Sequence, residues 1–191
     1  MLISHKHRFI YIAPVRTGTT SIAQVLEQHF EAVIFQEMLF GVDPFPRHDH
    51  GLPKQYEDYF VFCSTRNPYT RAISSYNWIN RTMIDPVPTS EVMVDPPILR
   101  SVCATVFDNV VQNNCVPMRL DAFIKLEYLE RDFQQLPFVD RYYAFPRENV
   151  STKIIADLSE LEINYVKKHY LRDFEYFGYN LTPYFGNKVL I

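Results

Sequence analysis

"RFIYIAPVRTGTTSIAQVLEQHF", residues 8–30, decides the fold. An apolar run, 8–13, leads into a short loop, and apolar residues then recur at Ile22, Val25, Leu26 and Phe30 with helical spacing. The order is strand, tight loop, helix. The chain has only five glycines in 191 residues, and Gly18 stands among Thr17, Thr19, Thr20 and Ser21. A glycine there permits a turn that brings consecutive N–H groups together, and the hydroxyls supply donors and a helix cap. Arg16 adds a fixed charge with a planar donor fork. Such a pocket suits a tetrahedral oxyanion. Hydroxyl residues at a helix start also serve as caps alone, so this stretch by itself leaves both readings open.

Outward from the loop, a second short strand fits Ala32 to Phe35 and a third fits "YFVFCS", 59–64, whose nearly unbroken apolar character suits a strand buried on both faces. "NPYTRAISSYNWIN" then starts a helix, with Asn67 as N-cap and Pro68 at the first helical position. Residues 98–113 read as helical, and "DAFIKLEYLERDFQQL" reads as a strand to about Leu126 followed by a helix. A helix around 159–170 and an aromatic tail close the chain. Two proline-dense stretches, 42–53 and 85–97, read as ordered loops rather than linkers. The alternation predicts a single three-layer α/β/α domain over 1–191, with a mainly parallel sheet and ligands at the carboxyl ends of its strands.

Composition narrows the partners. The chain is 47% hydrophobic and 21% charged, with a formal charge of −3, so no overall field draws it to nucleic acid or to an anionic membrane. Any bound anion must be held by a local basic cluster. Cys63, Cys103 and Cys115 are odd in number and form no C-x-x-C pair, which argues against a disulfide framework or a zinc site. The apolar run near the N-terminus is short for a secretory signal and no stretch reaches the length of a membrane span, so a soluble, cytoplasmic protein is expected. The sequons at Asn80, Asn149 and Asn180 are then chance matches.

A second basic element follows the third strand. "STRNPYTRAISSYNW", 64–78, sets Arg66 at the strand's carboxyl end and Ser74 in the helix beyond, poised for a second phosphate. Arg71, further along, is expected to pair with a surface carboxylate. Neither the Walker G-x-x-x-x-G-K-[ST] pattern nor the dinucleotide G-x-G-x-x-G pattern occurs.

With both elements in view, the chain resembles the PAPS-dependent sulfotransferases, nearest to their carbohydrate-modifying branches. "VRTGTTSI", 15–22, looks like the family's 5′-phosphosulfate loop, and "RNPYTRAISSY", 66–76, resembles its 3′-phosphate motif. "FIKLEYLERDF", 123–133, and "YLRDFEYFGY", 170–179, are similar to two later family segments. The resemblance implies a P-loop NTPase-like fold, with PAPS (3′-phosphoadenosine 5′-phosphosulfate) as sulfuryl donor and PAP as product. Arg16, Thr17, Gly18, Thr19, Thr20 and Ser21 would hold the 5′ end, and Arg66 with Ser74 the 3′-phosphate. The family usually has lysine where this chain has Arg16, which can stabilise charge on the leaving oxygen but cannot readily release a proton.

Sulfuryl transfer also needs a base for the attacking hydroxyl, and histidine is matched to neutral pH. "FPRHDHGLP", 45–53, carries His48 and His50 where related sulfotransferases often carry a catalytic histidine. His48 is the first candidate, because Arg47-His48 sits like the family's Lys-His pair, and His50 is the second. No metal is expected, since H-x-H alone has little metal specificity. Glu127 reads as a buried acid supporting local structure or as a carboxylate near the base, and Trp78 as core or as a border of the adenine. The expected acceptor is a hydroxyl, first a sugar or glycan, contacted by the 85–97 segment; the sequence is silent on oligomeric state. Two alternatives stand beside this reading: a PAP- or nucleotide-binding module without catalysis, and a nucleotide-dependent kinase.

Overall fold

The computed structural model describes residues 1–34, 56–82, 105–107, 119–146, 158–185 and 188–189. His48, His50, both proline-dense stretches and most of 98–113 lie outside the described residues. The chain divides into two compact units, one made of Met1–Thr65 with Asp108–Asn149, the other of Arg66–Phe107 with Val150–Ile191.

The first unit is mixed α/β, built on one five-stranded sheet. Its strands are β1 (Leu2–Ser4), β2 (Phe9–Ile12), β3 (Val33–Ile34), β4 (Phe60–Thr65) and β5 (Ala122–Lys125), in the order β3-β1-β2-β4-β5. β2, β4 and β5 pair in parallel, with Tyr11 opposite Phe62 and Cys63 opposite Phe123. β1 runs antiparallel to both of its neighbours, so the sheet is mixed. The β1–β2 hairpin was not expected from the sequence. Its turn is built from His5 to Arg8 with no glycine, and Arg8 takes the left-handed conformation (φ 54°) that a tight reversal requires.

Helix α1 (Thr19–Phe30) follows β2 as the periodicity requires and buries Ile22, Ala23, Val25, Leu26 and Phe30. These pack with Phe9, Tyr11, Phe62 and Ile124 from one face of the sheet. Phe138 stacks on Phe9 at a centroid distance of 4.2 Å, and Phe133 meets Phe30 and Tyr143 edge to face. Each such ring buries a large apolar area and gains about 1 kcal/mol from its aromatic neighbours. The alternate positions Ile10, Ile12, Val61 and Cys63 are buried as well, in keeping with a strand run apolar on both faces. After β5 a 3-10 turn (Leu126–Tyr128) enters the five-residue helix α3 (Leu129–Phe133), where Asp132 accepts the Lys125 N–H at 2.9 Å.

The second unit is helical. Helix α2 (Pro68–Thr82) begins where expected: Asn67 Oδ1 accepts the Tyr69 N–H at 3.0 Å, and Pro68 fills the first position. Helix α4 (Glu160–His169) opens on a reciprocal cap between Ser159 and Glu162. Helix α5 (Leu171–Phe177) ends at Gly178, left-handed at φ 63°. Tyr69, Ala72, Tyr76, Leu158, Ile163, Val166, Tyr170 and Phe174 form the core, with Trp78 packed against it. Tyr184–Phe185 and Lys188–Val189 pair as a small antiparallel ribbon, β6–β7. Of the aromatic tail, Tyr170, Phe174 and Phe177 are buried and Tyr176 is exposed. Among the described residues no helix is long and apolar enough to cross a membrane.

Candidate functional site

The loop between β2 and α1 leaves the carboxyl end of the parallel strands and contains two left-handed residues. Arg16 has φ 65° and Gly18 has φ 82°, while Thr17 between them and Thr19 at the helix start do not have positive φ. Alternation of φ sign along consecutive residues turns successive N–H groups toward one side, which is the geometry of an anion-binding concavity. The first helical hydrogen bond, Ile22 N–H to the Gly18 carbonyl at 3.2 Å, leaves the N–H groups of Thr19, Thr20 and Ser21 ahead of the helical ladder.

Gly18 is required twice over. Its φ is one that L side chains rarely adopt, and a Cβ there would lie 2.5 Å from Leu126 Cδ1. It is also the helix N-cap, and it has no side chain with which to cap. The expected hydroxyl cap is therefore absent: Thr19, Thr20 and Ser21 occupy the first helical positions instead, each half-buried. Arg16 is half-buried too. A non-glycine residue in the left-handed region costs about 1–2 kcal/mol, and such strain gathers where a backbone shape is used.

Thr17 differs from its neighbours. Its side chain is fully buried, and Oγ1 lies 2.7 Å from the Pro14 carbonyl oxygen and 2.6 Å from Ser64 Oγ. Ser64 Oγ lies in turn 2.7 Å from the Tyr11 hydroxyl. Thr17 can offer an anion its backbone N–H, but its hydroxyl is committed inward. Sequence reading missed Tyr11 and Ser64, although the signal was there: Tyr11 is paired with Phe62, and the two-residue period of a strand puts Ser64 on the same face.

In the second unit Arg66 is half-buried just ahead of α2. Its Nε donates to Thr70 Oγ1 at 3.1 Å, and that hydroxyl donates to the Asn67 carbonyl at 3.1 Å. Ser74 lies further along α2 and is buried. Arg71 pairs with a carboxylate, as expected, but the pair is not at the surface. Arg71 is 1% exposed and Asp173 0%, with 3.7 Å between Nη1 and Oδ2. Asp173 also accepts the N–H groups of Val106 and Phe107 at 3.0 and 2.7 Å, which fixes that segment against α5. Asp173 and Phe174 are thus framework residues of the late "RDF" segment, as Asp132 and Phe133 are of the earlier one. Glu127 is exposed, which removes the buried-acid reading for it.

The arrangement offers a strained amide concavity with an adjacent guanidinium in one unit, and a hydroxyl-steadied guanidinium at a capped helix start in the other. Compared with protein-family models, curated proteins and solved structures, the chain matches none.

Proposed function

We propose that the chain is a PAPS-dependent sulfotransferase of the three-layer, P-loop-like kind, moving a sulfuryl group to a hydroxyl, first a sugar or glycan hydroxyl. The observation that carries the proposal is the alternation of φ over Arg16, Thr17 and Gly18, a strained loop shaped for an oxyanion at the carboxyl edge of a parallel sheet. Arg66, oriented by Thr70, supports the 3′-phosphate assignment, because a guanidinium fork suits a phosphate.

On this reading the amides of the loop and Arg16 hold the 5′-phosphosulfate, and Arg66 with Ser74 holds the 3′-phosphate. The acceptor oxygen attacks sulfur in line, the bond from sulfur to the bridging oxygen breaks, and PAP leaves. Charge growing on that oxygen is met by the loop amides and Arg16, which need not reorganise. The acceptor's proton passes to His48, or to His50 in its place. No step calls for a metal.

Turnover of sulfur-labelled PAPS against a panel of sugar, alcohol and amine acceptors tests the proposal. Label is expected to appear in a hydroxyl acceptor, with His48→Ala or His50→Ala abolishing transfer. A chain that binds PAP but transfers to no acceptor is the non-catalytic module. Wild-type turnover in both histidine variants removes the assigned base.

A further inference from the structure

Resting on the donor-loop reading above, we infer that Tyr11 and Ser64 are positioning residues, which act through Thr17 to hold the 14–18 backbone in its anion-binding shape. Three fully buried hydroxyls lie in a row: Tyr11, Ser64 and Thr17. Their proton order follows from the chemistry of the last acceptor. The Pro14 carbonyl can only accept, so Thr17 spends its single proton there, at 2.7 Å. Thr17 Oγ1 must then accept from Ser64 at 2.6 Å, and Ser64 must accept from Tyr11 at 2.7 Å. The row is a one-way chain with one direction of donation. Burial holds the Tyr11 phenol far above its ordinary pKa, so its proton stays in place across the working range.

The geometry links this chain to function. Pro14 and Thr17 bracket the left-handed Arg16, so the hydrogen bond between them spans the strained turn. Ser64 and Tyr11 are on adjacent parallel strands, which lock Thr17 to the rigid sheet rather than to the loop. A backbone held at φ 65° without glycine would otherwise relax to the favoured regions and scatter its N–H groups. The three hydroxyls thus replace the glycines that looser anion loops use.

The experiment compares wild type with Thr17→Val, Thr17→Ser, Ser64→Ala, Tyr11→Phe and the pair Tyr11→Phe/Ser64→Ala, reading melting without ligand and PAP affinity by calorimetry. Thr17→Val and Ser64→Ala are expected to weaken PAP by about tenfold, the equivalent of one lost hydrogen bond at the loop. Thr17→Ser binds PAP more tightly than Thr17→Val. Tyr11→Phe shows the smallest loss, because it strands no donor. Ser64→Ala strands the Tyr11 proton, so adding Tyr11→Phe raises the melting temperature without recovering PAP affinity; a purely structural role would recover both together. Folded Thr17→Val or Ser64→Ala binding PAP as wild type overturns the inference. If wild type itself fails to bind PAP, the donor reading falls and amide exchange over residues 15–19 decides the hold on the loop. There Thr17→Val must exchange about tenfold faster than wild type, and equal rates overturn the inference.

Discussion

The loop at Arg16–Gly18 and the start of α2 at Arg66–Arg71 both follow a buried parallel strand, and both carry arginine, yet they are stabilised by opposite means. The loop is held by neutral hydroxyls, with Thr17, Ser64 and Tyr11 passing donors toward a carbonyl. The helical region is held by an ion pair, with Arg71 and Asp173 withdrawn from water and the carboxylate also accepting two backbone N–H groups. A neutral chain adds no negative charge beside the loop amides. A buried carboxylate beside them would cancel the attraction for an anion. In the second unit the carboxylate is set against Arg71, while Arg66 is steadied by the uncharged Thr70.

The contrast is broken most severely at Asp173. Asp173→Ala leaves Arg71 buried without its carboxylate and strands the Val106 and Phe107 amides, so urea unfolding is expected to show a loss of about 3–5 kcal/mol. A loss below about 1 kcal/mol would mean that water reaches the pair. Next in size is Gly18→Ala, which combines about 1–2 kcal/mol of left-handed strain with the cost of displacing Leu126. Adding Leu126→Ala separates the two terms, since it opens space at Gly18 and leaves the backbone strain in place.

Smaller again is Ser159→Ala, which removes the reciprocal cap of α4 and is expected to cost about 1 kcal/mol in thermal unfolding. The subtlest test is alkaline. Burial pushes the Tyr69 phenol up to about 12 from 10.0, and its hydroxyl donates to the Leu181 carbonyl at 2.5 Å. The folded state therefore favours the protonated form, which stabilises fully below the unfolded pKa near 10 and is lost as pH rises through about 12. The melting advantage of wild type over Tyr69→Phe should be constant to about pH 10 and shrink toward pH 12. A constant gap across that window contradicts the assignment.

Much of this was legible locally. The apolar spacing from Ile22 to Phe30 fixed α1, and Asn67-Pro68 fixed the start of α2, because periodicity and capping are written within a few residues. The β1–β2 hairpin escaped because its turn uses Arg8 where a glycine or asparagine would have announced it. The left-handed backbone of Arg16 escaped for the same reason: its neighbour Thr17 contacts Ser64, 47 residues away in sequence, and no local propensity encodes that contact. Arg71 read as a surface charge because its partner, Asp173, comes from the far end of the chain.

The proposed function requires a preference for a nucleotide bearing both a 5′-anion and a 3′-phosphate, and thermal melting with PAP, ADP and AMP at equal concentrations tests it most directly. PAP should raise the melting temperature well above either of the others, by linkage to the tighter complex. Equal shifts from PAP and ADP would contradict it.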